Sequence, residues 1–243
     1  MPIFRSFVAP DDDMSRLRVA LFDVDGVLLD SLTPHLKMCE DKSKEYGLGL
    51  RIPTPGEFKE LARSDVPISP MKCFFMAVGF PEEFAERANL QYQAVFMKKY
   101  SPTTFPCVQS TLRVIHEAGL KMGIVTSNVR ANVVEALGQS IRFFQPDCIL
   151  SKDDMALASK HQAIGLALSK LQADPTEAIY IGDQLSDWEA AKQAGVHFLG
   201  AAYGWGISDK DTDFPIVRKV AEISLYILRY AERDEHPEPK SKN

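Results

Sequence analysis

Five short apolar runs constrain this chain more than any other feature: LRVALF (17–22), KMGIVT (121–126), PDCIL (146–150), AIYI (178–181) and VHFLGA (196–201). All five read as strands buried on both faces. Amphipathic stretches at 109–118, 129–138, 160–172 and 187–194 stand between or beside them. Strands alternating with helices imply right-handed crossovers and a parallel sheet, so the expected fold class is α/β.

Residues 33 to about 105 break the alternation. They carry no clear strand, and their patterns are helical: in FAERANLQYQAVFMKKY, Phe84, Ala88, Tyr92 and Phe96 recur four apart on one face. Prolines at 53–55 and 67–70 separate these helices, and SPTTFP (101–106) reads as a return linker. The expected plan is a sheet domain, 17–32 and 106–232, interrupted after its first strand by an all-helical insert, 33–105. Residues 1–16 read as a short leader, and the charged, proline-containing segment 233–243 as a flexible tail. No internal repeat is visible.

In an open parallel sheet, ligands bind beyond the carboxyl ends of the strands. The first strand is followed by Asp23, Asp25 and Gly26, and the second by Thr126, Ser127 and Asn128. Lys160 opens the helix after the third, while Gly182, Asp183 and then Asp187 follow the fourth. Three carboxylates brought close together repel unless a cation sits among them. Hard oxygen ligands suit Mg²⁺, which takes one or two carboxylates together with waters and phosphate oxygens. The hydroxyl, the free N–H groups and the lysine suit an anion opposite. A magnesium ion and a phosphate sharing one site is the economical reading. In that chemistry one carboxylate attacks phosphorus and a second, two residues on, serves as acid and base. Asp23 is the expected nucleophile and Asp25 the acid/base. Gly26 allows a sharp turn beside them.

FDVDGVLLDS, GIVTSN, the lysine of ASKHQAIGLAL and YIGDQLSDWEAAKQAG resemble, in order and spacing, the four motifs of the haloacid dehalogenase-like hydrolase superfamily. The resemblance spans roughly residues 18–205 with the insert excepted. It implies a Rossmann-like core, an Mg²⁺-dependent phosphoaspartate mechanism and a mobile cap inserted after the first motif. The insert's place is similar to that of the helical cap in the branch holding phosphoglycolate phosphatase and β-phosphoglucomutase. By the same resemblance Asp23 attacks, Asp25 is acid/base, Thr126 and Lys160 hold the phosphoryl group, and Asp183 joins Asp23 and the Asp25 carbonyl around the metal; Ser127, next to Thr126, is a further expected phosphate-binding residue. Asp187 is the supporting acid. The family's dehalogenases carry a non-acidic residue at the place of Asp25, so an aspartate there favours phosphoester chemistry.

Several of these positions have other readings. Thr126 and Ser127 could simply cap the following helix. Ser186 and Glu189 form an S-x-x-E pattern that would put Asp187 in a first helical turn, where the helix dipole favours a carboxylate whatever its chemistry. Lys152 competes with Lys160, which lacks the proline that usually follows it in the family. His35 stands where β-phosphoglucomutase also has a histidine, and equally reads as a helix residue with no ligand role. GWG (204–206) is similar to a loop common in the family.

The bulk properties narrow the partners. A 243-residue chain that is 45% hydrophobic and 25% charged is of ordinary globular composition. Its net charge of −5 argues against nucleic acid or an anionic membrane as the main partner. Four cysteines, at 39, 73, 107 and 148, form no CxxC and no Cys/His cluster, which suits a reducing cytoplasm. The sequence thus points to an Mg²⁺-dependent phosphatase of a small phosphorylated metabolite. A sugar phosphomutase, a phosphonatase and a non-catalytic binding module remain open, as do the substrate and the oligomeric state.

Overall fold

A computed structural model describes residues 16–64, 66–154, 159–211 and 213–231. In chain order its elements are β1 (Val19–Phe22), β2 (Leu29–Asp30), α1 (Leu32–Glu45), α2 (Pro55–Ala62), α3 (Met71–Ala77), α4 (Glu82–Tyr100), β3 (Thr103–Thr104), α5 (Val108–Glu117) and β4 (Lys121–Val125). Then follow α6 (Arg130–Leu137), β5 (Ile149–Leu150), α7 (Lys160–Leu171), β6 (Ala178–Gly182), α8 (Leu185–Ala194), β7 (His197–Ala201), β8 (Ile216–Val217) and α9 (Ala221–Ala231). The leader and tail read from the sequence lie outside the described residues, Arg16 excepted.

Six strands form one parallel sheet in the order β5-β4-β1-β6-β7-β8. Both faces of β1 are covered. Ala20 and Phe22 pack with α5, α6 and α9 through residues such as Leu112, Val133 and Ile227. Val19 and Leu21 pack on the other side with Ile164 and Leu168 of α7 and Ala191 of α8. Burial on both faces is why these strands read as unbroken apolar runs. The fold is therefore α/β and Rossmann-like, with a helical insert. The strand expected over 146–150 is shorter: Pro146–Cys148 form a 3₁₀ turn and only Ile149 and Leu150 pair with β4.

The insert holds α1–α4 around its own apolar cluster, which includes Phe58, Phe74, Phe75, Ala88, Tyr92 and Phe96. Its helices are locally well specified. Thr54 accepts from Glu57 N while Glu57 accepts from Thr54 N, a capping box with Pro55 in the first turn. In α4, Glu82 and Glu83 occupy the first turn and Lys98 and Lys99 the last, the arrangement the helix dipole favours. The chain leaves the sheet domain at β2 and returns at β3, and these two pair antiparallel (Leu29 with Thr104, Asp30 with Thr103). The return linker thus contains a two-residue strand that the sequence did not suggest. Trp205, from the loop after β7, belongs to the insert's cluster, so the sheet domain and the insert share an apolar contact.

Candidate active site

β1 and β6 are neighbours in register, and this places Asp23 and Asp183, one at each strand end, side by side. Carboxylate oxygens of Asp23, Asp183 and Asp187 all lie within 4.8 Å of one another, and all three residues are buried. Lys160, the first residue of α7, reaches in from the next crossover. Its ammonium lies 2.7 Å from Asp23 Oδ2 and 2.5 Å from Asp187 Oδ1. Burial works against the Lys160 charge, but the carboxylates of Asp187 and Asp23 outweigh it and hold its pKa well above the ordinary value. The competing lysine, Lys152, is exposed and makes no ion pair with a described residue.

Asp25 sits in a different environment two residues on. Its Oδ1 accepts from Ser31 Oγ at 2.6 Å and its Oδ2 from Asn128 Nδ2 at 2.8 Å. Burial, aided by the charge of Asp23, raises its carboxyl to about 6 despite those hydrogen bonds. The turn that separates the two acids needs Gly26, whose φ is +75°; a Cβ there would stand 2.0 Å from Asp183 Oδ2.

Asp183, like Asp187, is fully buried. Its Oδ2 accepts from Trp205 N at 2.6 Å, and its backbone carbonyl accepts from Gly206 N and Ile207 N. Burial first, then the charges of Asp187 and Asp23, push its carboxyl well above the usual range. Its Oδ1 is buried without a partner among the described residues. An orphaned carboxylate oxygen beside two other carboxylates suits a hard cation such as Mg²⁺.

Asp187 does lie in the first turn of α8, but the cap differs from the one expected. The helix starts at Leu185, so Gln184 is the N-cap and Ser186 is already helical. Asp187 Oδ2 accepts from Asp183 N and Gln184 N at 3.1 Å each. Burial raises its carboxyl and Lys160 pulls it back, with a net upward shift. Its dual engagement makes it both a cap and a partner of Lys160.

Thr126 and Ser127 follow β4. Thr126 is buried and its Oγ1 accepts from Asn128 N at 3.2 Å, whereas Ser127 is exposed. Asp23, Asp25, Thr126, Ser127, Lys160 and Lys152 line one cavity of about 550 Å³. Asp183 and Asp187 lie behind that lining. The far wall comes from the insert and from Trp205, and it includes His35, Asn89 and Tyr92.

A carboxylate paired with a lysine thus stands two residues from a carboxyl raised to about 6, and two further buried carboxylates adjoin it. The haloacid dehalogenase-like hydrolase family matches residues 20–201. The chain belongs to that family. It is 31% identical over 207 residues to the pyrophosphatase PpaX of Bacillus velezensis, covering 81% of this chain and 88% of the relative. To a phosphoglycolate phosphatase of Vibrio vulnificus it is 27% identical over 224 residues, covering 87% and 96%. Among solved structures, CbbY from Rhodobacter sphaeroides in complex with phosphate superposes with a TM-score of 0.62 at 22% identity, over 85% of this chain and 96% of that one. The chain is thus an enzyme of the family, and these curated relatives are phosphatases. Among the described residues, no helix is long and apolar enough to cross a membrane.

Sequence reading had left four contributors unassigned. Ser31 and Asn128, which hold Asp25, stood in the quoted motifs, one closing FDVDGVLLDS and the other following Thr126 and Ser127. Trp205, whose N–H holds Asp183, stood in the GWG loop. Tyr92 was read as insert core, which it is, but it also lines the cavity.

Proposed function

We propose that this enzyme is an Mg²⁺-dependent phosphatase that hydrolyses a small phosphorylated metabolite through a phosphoaspartate on Asp23. The observation that carries the reading is the contrast between two carboxyls two residues apart, one paired with an ammonium and the other held near 6 by burial.

Asp23, Asp183 and the Asp25 carbonyl would hold the metal, with Asp187 in support. When bound, it would supply charge neutralisation for the phosphoryl group. Lys160, Thr126, Ser127 and neighbouring N–H groups orient the phosphoryl oxygens. Asp23 attacks phosphorus as the ester bond breaks, and Asp25 gives its proton to the departing alcohol oxygen. Asp25, now a carboxylate, takes a proton from the water that cleaves the phosphoaspartate, returning Asp23 and releasing phosphate. In this reading residues 33–105 act as a cap that excludes bulk water, over a core of 17–32 and 106–232. Four cysteines, all free, fit work in the reducing cytoplasm.

The mutase alternative would ask the insert for cations to hold a second phosphate. Three basic residues of the stretch FKELARSDVPISPMK are engaged elsewhere: Lys59 donates to Tyr203 O, Arg63 pairs with Asp211, and Lys72 with Glu82 and Glu86. None of the three lines the cavity. That favours transfer to water.

The test is phosphate release from a panel of sugar phosphates, phosphoglycolate, nucleotides and phosphonates, with and without Mg²⁺, with Asp23→Asn as control. Metal-dependent release lost in Asp23→Asn is the expected result. Robust turnover without divalent metal, or an active Asp23→Asn protein, would overturn the mechanism.

A further inference from the structure

Asp25, Ser31, His35 and Tyr92 form a hydrogen-bonded line that runs from the first strand's end into the insert. His35 is 2% exposed. The rings of Phe74, Tyr92, Phe96 and Trp205 surround it, the nearest centroid being Phe96 at 4.1 Å. Burial lowers its pKa to about 4, against a smaller upward pull from the Ser31 carbonyl, so the ring is neutral at neutral pH. Its Nδ1 lies 2.6 Å from Ser31 O. A carbonyl oxygen can only accept, so the single proton of the neutral ring is on Nδ1. Nε2 is then a bare acceptor, and the Tyr92 hydroxyl 2.9 Å away donates its only proton to it.

This fixes what Tyr92 can offer a ligand. With its proton committed to His35, its oxygen meets any further partner as an acceptor. Tyr92 lines the cavity, and its phenol lies close enough to Asp25 to feel that carboxylate's charge. The Asp25 side is where a departing alcohol would stand. Trp205 lines the same cavity, and its indole Nε1 is the one buried side-chain nitrogen without a partner among the described residues. That nitrogen is itself buried, so what this wall presents to a ligand is the acceptor-only oxygen of Tyr92.

Three kinds of group could face that wall. An anion would meet the Tyr92 lone pairs, and the insert contributes no lysine or arginine to the lining among the described residues. Lys152 lines the cavity from outside the insert, and its backbone N–H donates to Asn128 O beside the expected phosphoryl site. An alkyl group would leave the Tyr92 acceptor unsatisfied, at a cost. A hydroxyl can donate to the Tyr92 oxygen and satisfies it.

We propose that Tyr92, locked as an acceptor by His35, reads a hydroxyl on the leaving group, so that the preferred substrates are phosphomonoesters of neutral, hydroxylated small molecules. The proposal rests on the phosphatase reading above. Tyr92 is the specificity-determining residue and His35 a positioning residue.

The experiment compares kcat/KM for phosphate release from polyol phosphates of about three to six carbons with that from alkyl phosphates of the same chain length. It is run in the wild-type protein, in Tyr92→Phe and in His35→Asn. The asparagine keeps an amide donor for the Ser31 carbonyl but has nothing at the place of Nε2, so it frees the Tyr92 proton. The wild type is expected to favour the hydroxylated esters by about tenfold or more. Tyr92→Phe brings that ratio toward one, and His35→Asn narrows it. A purely structural role would depress both ester classes together and leave the ratio alone. A wild-type ratio near one, or a ratio unmoved in both variants, overturns the proposal while leaving the phosphatase reading in place. No turnover of any ester by the wild type sinks that reading, and the proposal with it.

Discussion

The ammonium of Lys160 stands 2.7 Å from the Asp23 carboxylate, across 137 residues of chain. The same ammonium touches Asp187, so one cation from the third crossover holds acids from the first and fourth strand ends. Three buried carboxylates would otherwise repel.

Removing that cation should therefore destabilise the metal-free protein. Lys160→Met leaves Asp23 and Asp187 buried without their partner, and a loss of about 3 kcal/mol is expected from the usual cost of breaking such a pair. Phosphate release should fall by about 10²-fold or more, since the group that would neutralise the phosphoryl oxygens is gone. Lys152→Met should leave urea unfolding unchanged, because Lys152 is exposed and makes no ion pair with a described residue. Equal effects of the two substitutions on unfolding would contradict the assignment of Lys160.

Acid should stabilise the metal-free protein relative to base. Asp25, Asp183 and Asp187 all have raised pKa values, caused first by burial. A carboxyl raised in the folded state contributes stability that is complete below its unfolded value and lost as pH climbs through its folded value. For Asp25 that window runs from the ordinary 3.8 to about 6, a difference of about 3 kcal/mol. The melting temperature without metal should fall from pH 5 to pH 8. Added Mg²⁺ should raise it more at pH 8, where the acids are ionised, than at pH 5. A Mg²⁺ effect independent of pH would argue that the ion binds elsewhere.

The sheet and the acids at its strand ends were legible because both rest on local patterns. A strand buried on two faces must be an apolar run, and a carboxylate directly after one stands out. β2, β3 and β8 were not legible, since two residues carry no periodicity. The α8 cap was misplaced by two residues because Ser186 and Glu189 fit a capping pattern, while the actual start is set by Asp187 reaching back to Asp183 N and Gln184 N. The His35–Tyr92 pair lies 57 residues apart. Such a contact depends on how α1 and α4 pack, and side-chain patterns on either helix alone do not encode it.

The insert is tied to the loop that holds Asp183. Arg63, just past α2, makes two 2.9 Å hydrogen bonds to Asp211 and a third to Gly206 O. The pair is mostly shielded from water, so its coupling should exceed that of a surface ion pair. In a double-mutant cycle of Arg63→Met and Asp211→Asn, followed by urea unfolding, a coupling of about 1–2 kcal/mol is expected. Because the same loop carries Trp205, Arg63→Met should also lower kcat/KM several-fold. Additive mutants with unchanged kinetics would show that the contact does not hold the loop.

Two glycines of that loop separate space from sequence. A Cβ at Gly204 would lie 2.3 Å from Asp183 Cβ and 2.5 Å from Gly26 O, whereas one at Gly206 meets nothing closer than 3.5 Å. Gly204→Ala must therefore push Asp183 or the Gly26 turn out of place, and neither is a flexible side-chain tip. Overpacking of this kind costs about 1–3 kcal/mol, and here it falls on an acid expected to hold the metal. Gly204→Ala should weaken Mg²⁺-dependent stabilisation and cut phosphate release by about 10²-fold or more, since misplacement by about 1 Å suffices for that. Gly206→Ala keeps the Gly206 N–H bond to the Asp183 carbonyl and should melt close to the wild type. Melting curves with and without Mg²⁺ would decide it: parallel behaviour of the two alanine variants would mean that Asp183 is not confined by Gly204.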